Sequence, residues 1–186
     1  MRVTETCIPG LLVIEPEILG DCRGYFFESF SKGKFEEATG VKVDFVQDNE
    51  SLSFYGTIRG LHFQKPPYAQ AKLVRVTSGR VLDVALDLRP DSPAFGKYEA
   101  VELSAENHRQ LFIPKGFAHG FSVLSESAVF QYKCDEYYAP GHEGGVAWND
   151  PLLAIDWQIP EKDVIISAKD SAYPPLSEII GREEMR

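Results

Sequence analysis

Ten short segments rich in Val, Phe and Tyr, each cut off by Gly, Pro or Ser, dominate the chain: 11–14, 25–30, 43–48, 57–64, 71–77, 80–88, 97–103, 110–113, 119–124 and 128–135. Their length and side chains predict strands rather than helices. No strand of this size can bury its apolar face alone. Ten in succession predict an all-β fold, a sandwich or barrel of jelly-roll type, with a few short helices. Ser78-Gly79, between two of the segments, reads as a tight hairpin turn. One helix is predicted over 32–39, with Ser31 at its N-cap and Gly40 as its stop. The tail after Trp157 is richer in Pro and charge and predicts further short helices. No repeat, linker or low-complexity stretch divides the chain. At 186 residues it can bury a full core, so one domain over 1–186 is expected.

Charge narrows the function. A net charge of −9 argues against nucleic acid as a partner, because little here could neutralise a run of phosphates. A small anionic ligand stays open, since it needs only a local cluster of Arg and Lys. The three cysteines, Cys7, Cys22 and Cys134, are odd in number and fit no CxxC spacing. They favour a reduced cytoplasmic chain over a disulfide framework. No apolar run approaches the roughly 18 residues of a membrane span, and the start of the chain lacks a signal-peptide apolar block.

The chemistry concentrates in a few places. Arg59-Gly60-Leu61-His62-Phe63-Gln64 sets a cation, an imidazole and an amide inside a strand. Burying them unpaired costs several kcal/mol, so they are expected to line a polar cavity. A neutral imidazole there is a natural general base. Ile113 to Phe121 makes a tight Pro-Lys-Gly bend and then enters a strand near His119. Alone, such a His is more often structural; beside His62 it can share one lumen. Two histidines invite a metal reading, but the first strand offers Gln64 where a second His would serve. Lys72 falls where a carboxylate ligand is expected, and an ammonium repels a cation. No metal is therefore expected. Along 130–134, Phe130, Tyr132 and Cys134 share one face by period 2. Tyr132 is either core with its hydroxyl tied off or a proton donor. Asp21 to Glu28 reads by itself as an edge strand with solvated charges, and 167–170 as a polar turn.

Eight motifs in register resemble one family over nearly the whole chain. They are D-x-R-G-x-F-x-E from Asp21, F-V-Q-D-N from Phe45, R-G-L-H-F-Q from Arg59, K-L-V-R from Lys72, I-P-x-G-F-A-H-G-F from Ile113, the Tyr132 to Tyr138 run, W-N-D-P from Trp148 and S-x-K-D from Ser167. The chain is identified by them as similar to the dTDP-4-dehydrorhamnose 3,5-epimerases. The resemblance implies a cupin-type jelly roll, a homodimer, and catalysis without metal or organic cofactor. It implies a dTDP-4-keto-6-deoxyhexose substrate, inverted at C3 and C5 through an enolate beside the C4 ketone.

By that resemblance His62 is the base, oriented by Asp170, Tyr132 is the acid, and Lys72 stabilises the enolate oxygen. His119 is a further pocket residue. Arg23 and Arg59 match diphosphate positions, and Phe26 and Tyr138 match aromatics around the thymine. Glu28, Gln47, Asn49, Glu143 and Lys169 match polar substrate contacts. Arg23, Phe26 and Glu28 are implied to come from the neighbouring subunit as an exchanged N-terminal arm. Strict alternation would set Arg59 and His62 on opposite faces, so Gly60 is expected to mark a bulge or local twist. Two other readings stay open. One is an enzyme that inverts a single centre or isomerises the keto group of a related deoxysugar. The other is a nucleotide-sugar binding cupin without catalysis.

Overall fold

A computed structural model describes residues 1–180. The last six of the domain expected over 1–186 lie outside the described residues. Two antiparallel sheets face each other as a jelly roll. One runs in the order β1 (Arg2–Glu5), β2 (Leu12–Glu15), β10 (Gln110–Ile113), β7 (Lys72–Ser78), β12 (Ser127–Cys134) and β5 (Gln47–Phe54). The other runs β13 (Glu143–Gly145), β6 (Ile58–Gln64), β11 (Phe117–Val123), β8 (Arg80–Asp87) and β9 (Tyr98–Ser104). A separate hairpin pairs β3 (Leu19–Asp21) with β4 (Gly24–Phe26). The helices are α1 (Lys32–Thr39), α2 (Leu176–Ile180) and short 3-10 turns at Pro140–His142, Glu161–Asp163 and Asp170–Ala172. Among the described residues no helix is long and apolar enough to cross a membrane.

Three apolar clusters explain which strands the sequence displays. Between the sheets, Val74, Val76, Leu111 and Phe130 meet Val81, Ala85, Phe121 and Val123. Behind the five-stranded sheet, Leu82, Val84 and Leu86 pack under Trp157, Leu176 and Ile179 of the C-terminal tail. β8 is therefore covered on both faces, which is why it reads as a continuous apolar run. Behind the six-stranded sheet, Phe35 of α1 closes over Leu12, Leu73 and Phe112.

Two expected strands move. Of 25–30 only Tyr25 and Phe26 are strand, as the end of Gly24–Phe26, because Phe30 turns away to pack against Phe35 and Phe45. Instead of 43–48, the strand spans Gln47–Phe54, since Val43 and Phe45 join the α1 cluster. α1 keeps its expected bounds. Gly40 adopts the left-handed conformation (φ 71°) and closes the last turn onto Glu36. Ser31 is extended but caps with its backbone carbonyl, not its hydroxyl.

One irregularity positions the site. Across β6 and β11, His62 pairs with His119 and Arg59 with Phe121, so β6 spends one extra residue over that interval. The expected bulge is thus at Gly60-Leu61, whose peptide is cis. It lets Ile58 and Leu61 both face the outer cluster, three residues apart, and turns Arg59 and His62 to the same inner side. Gly60 sits at φ 127°, and a Cβ there would lie 2.5 Å from Gly120 Cα. Gly60→Ala should therefore destabilise the fold by about 3 kcal/mol, combining backbone strain with overpacking. Gly33→Ala, in open space on α1, should instead stabilise by about 0.5–1 kcal/mol. Chemical denaturation of both variants checks the contrast.

Candidate active site

Inward positions not filled by the central cluster carry polar groups. β6 supplies Arg59 and His62, β7 Lys72, β8 Asp83, β11 His119 and β12 Tyr132 with Cys134. β5 adds Gln47 and Asn49, paired in register with Cys134 and Tyr132. These side chains share one lumen. The Lys72 ammonium lies 5.9 Å from the centre of the Tyr132 ring, and Arg59 donates from Nε to Ser53 Oγ at 2.9 Å, across to the facing sheet.

His62 is the best-supported group. Its Nε2 is 2.8 Å from Asp170 Oδ1, while the Gly60 amide donates to Asp170 Oδ2 at 3.2 Å. Asp170 is buried and held by its own amide donating to Ser167 Oγ at 3.0 Å. With Nε2 engaged, Nδ1 is the ring atom left for a ligand. Burial pushes the His62 pKa down, against the opposing pull of Asp170. The imidazole is therefore neutral at pH 7. Across the lumen, burial pushes the Tyr132 phenol up, so it keeps its proton. Burial pushes the Lys72 ammonium down. His119 reaches Asp83 Oδ2 from Nε2 at 2.9 Å, forming a second His–Asp pair. Cys134 is pushed up to about 11 by burial and stays a thiol.

The rim holds the remaining sequence-derived residues. Lys169 pairs with Glu143 at 2.6 Å. Burial tends to raise the Glu143 carboxyl, but Lys169 and the Tyr138 hydroxyl outweigh it and hold the pKa low. The Tyr138 amide donates to Gln47 Oε1 at 3.1 Å, and Gln47 Nε2 to Asn49 Oδ1 at 2.9 Å. Gln64 does not line the cavity as expected. Its amide donates to the Tyr68 and Tyr137 carbonyls and accepts from the Ala139 amide, tying two rim loops to β6.

The arm is elsewhere. Arg23 forks onto Asp21, Glu28 pairs with Lys34, and Phe26 is 64% exposed beside the outer face of the six-stranded sheet. Within one chain these three residues do not join the lumen. Two groups escaped the sequence reading. Asp83 had a signal, a carboxylate inside an apolar run. Tyr173 had none: its ring packs edge-on to His62, 5.6 Å between centres, in space left by Gly145.

A neutral base on one sheet, a protonated phenol on the other and a lysine between them can remove and return a carbon-bound proton on opposite faces. Among the described residues no three His, Cys, Asp or Glu side chains converge as a metal site requires. Such a lumen in a cupin-type jelly roll has the parts of an epimerase. The family model for dTDP-4-dehydrorhamnose 3,5-epimerase matches residues 5–178, and the chain belongs to that family. The enzyme of that name from Salmonella typhimurium is 52% identical over 98% of this chain and 100% of its own length. The crystal structure of a dTDP-6-deoxy-D-glucose-3,5-epimerase from Legionella pneumophila, in complex with dTDP-4-keto-L-rhamnose, is 50% identical. It covers 96% of this chain and 94% of its own, with a TM-score of 0.92. A 3'-monoepimerase from Streptomyces bikiniensis, bound to dTDP-quinovose, is 34% identical over 97% and 91%, at a TM-score of 0.88.

Proposed function

We propose that the protein inverts C3 and C5 of dTDP-4-dehydro-6-deoxy-D-glucose to give dTDP-4-dehydro-L-rhamnose. The observation that carries this reading is the His62–Asp170 dyad on one sheet opposite Tyr132 on the other. The hydrogens on C3 and C5 are acidic because each lies beside the C4 ketone. His62 Nδ1 takes one proton, and the C–H electron pair moves into the carbonyl as an enolate. Lys72 donates to the enolate oxygen, with His119 beside it. Tyr132 then returns a proton from the opposite face, the carbonyl reforms, and the centre is inverted. Solvent resets the imidazolium and the phenolate before the second centre reacts. Asp170 holds the tautomer and supports the imidazolium.

Every step uses side chains of this chain, and none needs a metal or organic cofactor. On this reading Arg59 takes the diphosphate, Tyr138 stacks on the thymine, and Gln47, Asn49, Glu143 and Lys169 make polar contacts. The enzyme works in the cytoplasm, where its free thiols stay reduced. Incubation with the 4-keto sugar nucleotide in heavy water tests the reading. Deuterium should enter with inversion at both C3 and C5 by NMR, equally after prolonged chelation. Turnover at one centre alone would make the protein a single-centre epimerase, as the Streptomyces bikiniensis relative is named. Binding without exchange would make it a non-catalytic binder.

The arm fits this reading only in a dimer. Leu19, Tyr25 and Phe26 are exposed on the β3–β4 hairpin, with Arg23 at its turn. A second subunit that took this hairpin would bury those rings and gain Arg23, Phe26 and Glu28 at the nucleotide end of its lumen. Mixing Arg23→Ala with His62→Ala subunits in equal amounts should then restore about a quarter of the parent activity, because about half the dimers are mixed and each mixed dimer has one intact site of two. No restoration despite proven subunit exchange would rule out the exchanged arm.

A further inference from the structure

Asp83 is fully buried on β8, between the inward-facing Val81 and Ala85. One of its oxygens accepts from His119 Nε2, yet the other, Oδ1, meets no hydrogen-bond partner among the described residues. A buried carboxylate oxygen left bare costs a large part of its hydration, so native proteins retain one where it has a task. Lys72 presents the complementary deficit. It starts β7 on the facing sheet and, among the described residues, makes no ion pair or hydrogen bond; its ammonium lies over the Tyr132 ring, 5.9 Å from the centre.

The groups around Lys72 narrow the choice of counter-charge. From β12 come Cys134, a neutral thiol, and Tyr132, a neutral phenol. From β6 come His62, already bound to Asp170, and Arg59, itself a cation. From β13 comes Glu143, whose charge is committed to Lys169 at 2.6 Å. From β11 comes His119, which carries no negative charge. Among the described residues this leaves Asp83, which makes no direct ion pair with Lys72 but holds Oδ1 buried and uncommitted on the inner side of the facing sheet.

We propose that Asp83 is the counter-charge of Lys72 and a positioning residue for the reaction: one oxygen fixes the His119 ring, and the other keeps the Lys72 ammonium protonated and aimed at the substrate carbonyl. With Nε2 of His119 held by Asp83, its Nδ1 is turned to the same carbonyl. The two donors are thus set by one carboxylate. The inference deepens the proposed epimerase reading, because it assumes that Lys72 acts on the enolate oxygen.

The test begins on the substrate-free protein, so its outcome does not depend on the function. Asp83→Asn keeps a carbonyl oxygen for His119 and removes only the charge. By NMR of labelled lysine, assigned with Lys72→Met, the Lys72 titration should fall by about 1 unit or more in Asp83→Asn. In turnover, the alkaline limb of kcat should move to lower pH by a similar amount, with KM little changed. Should Asp83→Asn fail to fold, the reciprocal measurement decides. In Lys72→Met, an apolar change of similar shape, the Asp83 carboxyl should titrate at higher pH than in the parent. Unmoved titration of Lys72 in Asp83→Asn, or of Asp83 in Lys72→Met, would overturn the proposal and leave Oδ1 as a water-bonded oxygen. A shifted titration with no effect on the kcat profile would keep the pair and refute the catalytic role of Lys72.

Discussion

The Asp170 carboxylate is the contact on which the site depends. One oxygen holds the His62 ring and the other holds the amide of Gly60. The same carboxylate therefore grips the imidazole proposed to move the proton and the backbone irregularity that aims it. Without the extra residue in β6, alternation would send either Arg59 or His62 to the outer cluster under Trp157. Without Asp170, the bulge amide would be buried without an acceptor and the imidazole would be free to rotate. Ser167 and the short 3-10 turn that carry Asp170 come from the C-terminal tail, so that tail both covers the outer core and completes the site.

Burial disfavours the charged forms of His62, Lys72, Tyr132 and Cys134, and the carboxylates Asp170 and Glu143 are held by partners of their own. Asp170 answers His62, and Lys169 answers Glu143. Among the described residues Tyr132 and Cys134 have no cation at hydrogen-bond distance, and burial keeps them neutral. A neutral base facing a neutral acid is the state from which proton abstraction on one face and delivery on the other can start. The low-polarity walls strengthen any donor aimed at a developing oxyanion.

Much of this was legible in the residues, and the failures have physical causes. Strands whose inner face joins the central apolar cluster advertise themselves, β12 by its alternation and β10, covered on both faces, as a short apolar run. β5 does not. Its inward positions are Gln47, Asn49, Ser51 and Ser53, because they line the lumen or its edge, so the hydrophobic signal vanishes where the function is. β1, β3 and β13 are three or four residues long and largely exposed or Gly-rich, too short to show a period. The histidines were legible as a pair through their motifs. Their carboxylate partners were less so. Asp170 carried only a resemblance, and Asp83 was masked by the apolar run of β8. Gln64 was misleading: an amide beside a base suggests a ligand contact, but its three hydrogen bonds are spent on backbone.

The division of labour between the two sheets is the central claim, and isotope exchange tests it most directly. Parent, His62→Asn and Tyr132→Phe proteins are incubated with the 4-keto sugar nucleotide in heavy water. Exchange with retention is scored by NMR separately from exchange with inversion. The account predicts that His62→Asn loses both, while Tyr132→Phe keeps some exchange with retention and loses inversion steeply. Normal inversion by Tyr132→Phe, or exchange near the parent rate by His62→Asn, would contradict it.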